Sequence, residues 1–221
     1  MFIDQKDKGA GTKGERIFIV IMALLFLFMM SMEMMSNYEP RKLSMLFFIL
    51  FWVPLLFLHE FGHAVMARLC GWEVKQTVIG LGSILMNTRL FGAPMEIRMI
   101  PLEGFVSIAP RNLNYVKAKH ALIYFAGPGI ELLVFAAIWL LLGTEQLFSQ
   151  NDNYYHIALQ SLAFAALVGA VINLIPLGIS TAEGSTPNDG LGIILSLTRS
   201  KRDYQEWIRE NEDEASDKKG L

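Results

Sequence analysis

Long apolar blocks are the feature that most limits what this chain can fold into. A helix that crosses a bilayer needs about 20 mostly apolar residues. Hydrophobic residues make up 53% of the chain and charged residues only 18%. Because the apolar residues are clustered, the sequence predicts a membrane α-helical protein with about four transmembrane helices. They run from Ile17 to about Asn37, from Leu43 to about Leu69, from about His120 to Leu142 and from about His156 to Leu177.

The segment from Val74 to Pro110 has a different pattern from these helices. Short apolar runs alternate there with glycines, which predicts two or more β-strands with a hairpin near Phe91 to Pro94. Pro101 and Gly104 are unusual in a central strand and favour an edge or bulged position. We expect residues 73–110 to form a membrane-associated sheet between the second and third helices.

The two ends of the chain are polar. Residues 1–16 are predicted to be a cytoplasmic N-terminal segment, and residues 200–221 a charged cytoplasmic tail. The membrane-embedded core then spans residues 17–199. We expect a short helix around Tyr204 to Arg209 in the tail and disorder after it.

The distribution of basic residues predicts the orientation in the membrane. The stretch from Arg68 to Lys119, between the second and third helices, contains seven lysines and arginines, residues 143–155 contain none, and both terminal segments contain several. The positive-inside rule places both termini and the β-rich insertion in the cytoplasm, with Arg41 and Lys42 as exceptions. We expect a multi-pass protein of the cell (plasma) membrane that contacts the lipid bilayer. The net charge of -2 gives no indication of a nucleic-acid partner.

Residues 59–63 read HEFGH, and this motif carries the chemistry. Side chains at i and i+4 share one face of a helix, so His59 and His63 can converge on one Zn²⁺. Glu60 could act as a general base on a water molecule at the metal. Buried ionisable groups in a transmembrane helix are costly, which favours a functional site over an interhelical hydrogen-bond cluster.

A catalytic zinc normally has three protein ligands, so a third must come from elsewhere. His120 and His156 are poor candidates, since each lies at the end of a predicted span. Asp189 follows the fourth helix, on the same predicted side as the HEFGH motif. The sequence Asp-Gly is also typical of a plain turn.

Three features together resemble the site-2 protease family of intramembrane zinc metalloproteases. They are HEFGH in an apolar helix, NLIP at Asn173 to Pro176 followed by Asp189-Gly190, and IPLEGFVSI at Ile100 to Ile108. The resemblance covers about residues 43–195.

The resemblance implies a fold, a cofactor and a substrate class. One Zn²⁺ per chain would be bound by His59, His63 and Asp189, with Glu60 as the base. The resemblance also implies that the chain cleaves a membrane-protein substrate in or near a transmembrane segment. The insertion would present that substrate by β-augmentation. The substrate-binding residues would be Asn173, Pro176 and Gly104.

The sequence departs from the family pattern at two places. Glu131, in AGPGIE, stands where an asparagine is usual, and the spacer between Pro176 and Asp189 is longer than usual. These departures leave open a catalytically inactive zinc-binding membrane scaffold or partner-binding protein, and a metal transporter is a further alternative. No PDZ domain is expected in this compact form, so substrate filtering would fall to an accessory membrane protein or be absent.

Overall fold

Helices form most of this protein, and a long β-hairpin separates the second helix from the third. The computed structural model describes residues 13–36, 38–181 and 184–217. A single 3-10 turn at Pro40–Lys42 precedes the second helix. The elements in chain order are α1 (Lys13–Ser36), α2 (Leu43–Leu69), β1 (Glu73–Leu90), β2 (Ala93–Ala109), α3 (Val116–Phe148), α4 (Tyr154–Leu174), β3 (Gly178–Thr181), β4 (Gly184–Pro187), α5 (Asp189–Thr198) and α6 (Lys201–Asp217).

Three helices in the described part of the chain are long and apolar enough to cross a membrane. They cover Pro40–Leu69, Val116–Phe148 and Tyr154–Leu174, which confirms the second, third and fourth predicted spans. Helix α1 forms where the first span was predicted, but it is not among these three helices. A fourth span therefore stays a prediction.

The three apolar helices pack against one another through small residues. Ala163, Ala165, Ala166 and Ala170 of α4 are fully buried. A Cβ atom added at Gly62 of α2 would lie 2.7 Å from the Ala126 carbonyl oxygen of α3. Small residues let helix backbones approach closely in a membrane, where packing rather than hydrophobicity drives association. This approach brings the motif helix α2 directly against α3.

Helix α3 is longer than predicted, and α4 is shorter. Helix α3 begins at Val116 and continues to Phe148 across a break at Gly143, which has φ 76° and ψ 163°. The predicted loop at 143–155 is therefore partly helical. Helix α4 ends at Leu174, because Ile175 precedes a proline and adopts an extended conformation with ψ 120°.

Strands β1 and β2 form the predicted hairpin. The turn is at Phe91 and Gly92, both with positive φ (53° and 85°), the combination found in type I′ turns. Both strands bend, so that Thr77 pairs with Val106 on one side and with Met95 on the other. The four strand segments therefore lie in the order 84–90, 93–98, 73–79 and 104–109.

The position of Gly104 agrees with its sequence. Residues 104–109 pair with residues 73–79, and the described ladder does not extend beyond them, so this segment lies at one edge. The register shifts between Ile79 and Leu81, opposite the stretch that contains Pro101. The predicted edge or bulged position is confirmed.

Helix α6 packs against Trp72, which follows α2, and against the first turns of α3. Tyr204 and Trp207 of α6 are buried in one cluster with Trp72 and face His120. The Tyr204 hydroxyl donates to the Ser196 carbonyl oxygen at 3.1 Å, and its oxygen lies 2.8 Å from His120 Nδ1. Burial raises the pKa of Tyr204 to about 12, so it stays a neutral donor.

This packing corrects the prediction for the tail. The predicted helix around residues 204–209 extends from Lys201 to Asp217. Disorder directly after Arg209 is therefore wrong, and residues 218–221 lie outside the described residues. Tyr204 and Trp207 pack α6 against the core, and this apolar contact is not evident from the charged composition of the tail.

Candidate active site

Helix α2 supplies three buried polar side chains in an apolar span. His59, Glu60 and His63 are all buried, and the two imidazole centroids lie 4.7 Å apart. The i, i+4 spacing brings His59 Nε2 to 3.0 Å from His63 Nε2. Both rings thus present Nε2 to one point, and the convergence predicted from the sequence is confirmed.

Asp189 reaches this point from the start of α5. Its Oδ2 lies 2.9 Å from His59 Nε2, and its Oδ1 lies 3.3 Å from His63 Nε2. The long spacer before Asp189 is accommodated by the short antiparallel strands β3 and β4, in which Gly178 pairs with Pro187. The spacer therefore returns the chain to the end of α4 instead of carrying Asp189 away.

Asn188 fixes the position of Asp189. Its Oδ1 accepts from the backbone N–H groups of Leu177 (3.0 Å) and Leu191 (3.1 Å), and its Nδ2 donates to the Ile175 carbonyl oxygen at 2.6 Å. One side chain thus caps α5 and ties it to the end of α4. Gly190 permits the close approach, since a Cβ there would lie 2.2 Å from the Leu174 carbonyl oxygen.

Replacing Asn188 with alanine is expected to loosen the Asp189 end of the cluster. Loss of an N-cap costs about 1–2 kcal/mol, and here the lost contacts also hold α5 in place. We expect a lower unfolding temperature and weaker zinc binding, measured by thermal unfolding and chelator competition. The matched control is Asn153→Ala, which removes the cap of α4, where Asn153 Oδ1 accepts from Tyr155 N at 2.9 Å. It should lower stability but leave zinc affinity unchanged, and equal loss of zinc in both variants would contradict this role.

The Nδ1 atoms of both imidazoles, on the side of each ring away from Asp189, face oxygen atoms of α3. His63 Nδ1 lies 2.7 Å from the Ile123 carbonyl oxygen. His59 Nδ1 lies 3.3 Å from Glu131 Oε2. Contacts of this kind fix the tautomer of a ligating histidine and leave Nε2 as its donor atom.

Gly127 of α3 leaves space beside the Nε2 atoms of the two histidines. A Cβ added there would lie 2.4 Å from His63 Nε2 and 2.6 Å from His59 Nε2. Space is thus kept next to the two nitrogens that face Asp189.

The three side chains fit a zinc ion. Two imidazole nitrogens and a carboxylate form a donor set that is typical of catalytic zinc. Tetrahedral bonds of 2.0–2.1 Å imply ligand separations of about 3.3 Å. The separations among His59 Nε2, His63 Nε2 and the Asp189 carboxylate are 2.9–3.3 Å.

Glu60 lies beside this cluster, against the sheet. It is buried, and its Oε2 has no hydrogen-bond partner among the described residues. A Cβ at Gly104 would lie 2.8 Å from Glu60 Oε1, so the strand segment containing Gly104 packs directly on this carboxylate. Because glycine has no side chain, residue 104 leaves space for the Glu60 carboxylate.

A cavity of about 550 Å³ contains the cluster. Of the three substrate-binding residues predicted from the sequence, Gly104 and Asn173 line it, whereas Pro176 is exposed and is not among its lining residues. Pro176 instead follows the end of α4, and substrate contact by all three residues stays a prediction. His120 Nδ1 contacts Tyr204, and His156 Nε2 contacts Gln146 at 3.1 Å. Neither histidine belongs to the cluster, as expected.

Three residues of the site were missed or left without a role by sequence reasoning. The role of Gly127 depends on the packing of α3 against the two histidines of α2, which requires the structure. Asn188 precedes a helix start, and this N-cap signal was available in the sequence. Glu131 was noted as a departure, but its contact with His59 requires the structure.

Three apolar helices around a buried histidine and carboxylate cluster define a multi-pass membrane protein with a metallopeptidase-type site. The model of Peptidase family M50 matches residues 47–175, more than half of the chain, and the chain belongs to this family. That match includes the two histidines, Glu60, Gly104 and Glu131, and it ends before Asp189.

Sequence comparison gives relatives of the same description. A zinc metalloprotease proposed in Helicobacter pylori is 43% identical over 54 residues, which cover 24% of this chain and 15% of the relative. Zinc metalloprotease Rip1 of Mycobacterium tuberculosis is 32% identical over 91 residues (35% and 22%). Zinc metalloprotease RasP of Bacillus licheniformis is 31% identical over 72 residues (33% and 17%). The matched regions thus span less than a quarter of the length of each relative.

Proposed function

We propose that this chain is an intramembrane zinc peptidase that hydrolyses a peptide bond in or near a transmembrane segment of a membrane protein. The observation that carries the proposal is the convergence of His59, His63 and Asp189, with Glu60 beside them, in one buried cavity among apolar helices. His59, His63 and Asp189 would hold one zinc ion.

The side chains of the cavity suit the hydrolysis of an amide bond. Zinc, when bound, supplies Lewis acidity toward water and the scissile carbonyl group. Glu60 takes the proton from the attacking water and later delivers it to the leaving amine. Contact with Gly104 restricts the Glu60 carboxylate, so less orientational freedom of this group is lost when the transition state forms.

The edge of the sheet suits a substrate that must be unwound. A transmembrane helix satisfies its peptide groups internally, so cleavage requires an extended segment. The strand segment that begins at Gly104 packs on Glu60 and lies at the sheet edge. A substrate strand added along this edge would pass the base by β-augmentation. Asn173, at the cavity wall, would contact this strand, and Pro176 would set the end of α4.

The membrane arrangement follows from charge and depth. His59 and His63 lie toward the C-terminal end of α2, and Asp189 follows the C-terminal end of α4, so the cluster lies nearer one face. The positive-inside rule makes this face cytoplasmic and places both termini there, with α1 as a fourth span. We propose the cell (plasma) membrane as the location, and an accessory membrane protein as the source of substrate filtering.

Quantitative proteomics of new protein termini would test the proposed function. Membrane fractions are compared from cells that produce wild type, the His59→Ala variant or the control Ser161→Ala. Ser161 is buried in α4 but donates to the Ile157 carbonyl oxygen, away from the cluster. Termini within or next to transmembrane segments should appear with wild type and with the control, and disappear with His59→Ala. Identical sets of termini in all three samples would refute the peptidase and favour the inactive scaffold.

A further inference from the structure

We propose that Glu131 is a positioning residue. Its carboxylate contacts His59 Nδ1 and so orients the imidazole to bind metal through Nε2. This inference rests on the zinc site proposed above and gives a role to the acid that departs from the family pattern. His59 Nδ1 and Glu131 Oε2 lie 3.3 Å apart, with the two residues 6% and 4% exposed. Neither atom makes a hydrogen bond of acceptable geometry to a described residue, so this ion-pair contact is the polar interaction that the structure gives both atoms.

One face of α3 holds both imidazoles. Ile123, Gly127 and Glu131 follow at intervals of four residues and so lie on the same side of the helix. The Ile123 carbonyl oxygen contacts His63 Nδ1, Gly127 clears the space at both Nε2 atoms, and Glu131 contacts His59 Nδ1. Helix α3 thus contacts both histidines at Nδ1, His63 through a hydrogen-bonding carbonyl oxygen and His59 through a carboxylate at ion-pair distance.

Helix α4 makes room for the Glu131 carboxylate. A Cβ added at Gly169 would lie 2.8 Å from Glu131 Oε1. Glu131 is therefore enclosed between His59 on one side and the bare backbone of α4 on the other.

This geometry has a defined effect on the metal site. A carboxylate that accepts from Nδ1–H holds the imidazole in the tautomer whose Nε2 is a free donor, and it raises the basicity of that nitrogen. Removal of such a support typically costs about 10–100-fold in metal affinity. A residue that only packs would change stability without changing the metal's ligand field.

Metal binding by the full-length chain in detergent tests this role. Zinc affinity is measured by chelator competition, and Co²⁺ is substituted to record its visible absorption. The variants Glu131→Ala and Glu131→Gln are compared in the Glu60→Gln background, with Ser161→Ala as the packing control. We expect a loss of affinity of about 10–100-fold in Glu131→Ala with shifted Co²⁺ bands. Glu131→Gln, which keeps an acceptor oxygen, should lose less affinity but also shift the bands.

Gly169→Ala provides a second route if Glu131→Ala does not fold. The added methyl group displaces the carboxylate without removing it, so we expect the same direction of change in affinity and absorption. Wild-type affinity and unshifted Co²⁺ bands in the folded Glu131 and Gly169 variants would overturn the role of Glu131.

Failure of this inference is distinguishable from failure of the proposed function. Metal binding is read in a background that lacks the base, so it does not depend on cleavage. If zinc binds tightly and the Glu131 variants bind it more weakly, but the wild-type chain cleaves no substrate, only the peptidase function is refuted. Unchanged binding in an active enzyme would refute only the role of Glu131.

Discussion

Glu60→Gln is expected to abolish cleavage while the chain keeps its zinc. Glutamine has nearly the same shape as glutamate, so the packing on Gly104 and the nearby histidines is preserved. The amide cannot accept the proton of the attacking water, and loss of a general base costs about 10²–10⁴-fold in rate. Single-turnover cleavage of a reporter with one transmembrane segment measures the rate, and elemental analysis of the same sample measures zinc.

A matched control separates this effect from a general loss of negative charge. Glu33→Gln changes an exposed acid that contacts Lys42 near the opposite end of α2, and it should cleave at the wild-type rate. Retained cleavage in Glu60→Gln would exclude Glu60 as the base. Loss of zinc together with cleavage would instead assign Glu60 a structural part in the metal site.

Gly127→Ala is expected to remove both zinc and activity. The added methyl carbon would lie 2.4 Å from one imidazole nitrogen and 2.6 Å from the other, so both rings must move. Overpacking of this kind costs about 1–3 kcal/mol of stability. A displacement of about 1 Å at the reacting groups can cost about 100-fold in rate. Zinc content, unfolding temperature and reporter cleavage measure the three effects.

Gly129→Ala is the control for this prediction. Gly129 lies two residues further along α3, and the three atoms nearest to a Cβ there all belong to the Phe125 ring, the first at 3.2 Å. A phenylalanine ring can shift by a few tenths of an ångström, so zinc and activity should be retained. If both alanine variants lose zinc equally, the effect would come from α3 as a whole, and the specific role of Gly127 would be refuted.

The helical fold and half of the site could be predicted because they depend on local sequence. Apolar length predicts the spans, and the i, i+4 spacing of His59 and His63 predicts their convergence. The turn at Phe91 and Gly92 was predictable from turn residues. Each of these features is determined within about 20 consecutive residues.

The rest depends on contacts between distant segments. The support of His59 by Glu131 requires α2 and α3 to pack in one register, which no local pattern specifies. The length of α6 was underestimated, because its stability comes from Tyr204 and Trp207 packing on the core and not from its charged composition. Asp189 could be chosen as the third ligand because its predicted depth in the membrane matches that of the histidines. The strands β3 and β4 that bring it back to them lie in a spacer without apolar periodicity, so they could not be predicted.

Zinc-edge X-ray absorption of the purified full-length chain tests the central claim most directly. The predicted spectrum shows one zinc per chain with only nitrogen and oxygen ligands at about 2.0–2.2 Å, and scattering from two imidazoles. His63→Ala should reduce the imidazole contribution, and Asp189→Ala should remove an oxygen ligand. A sulfur ligand at about 2.3 Å, which only Cys70 or a methionine could provide, or a spectrum without imidazoles, would contradict a zinc site built from His59, His63 and Asp189.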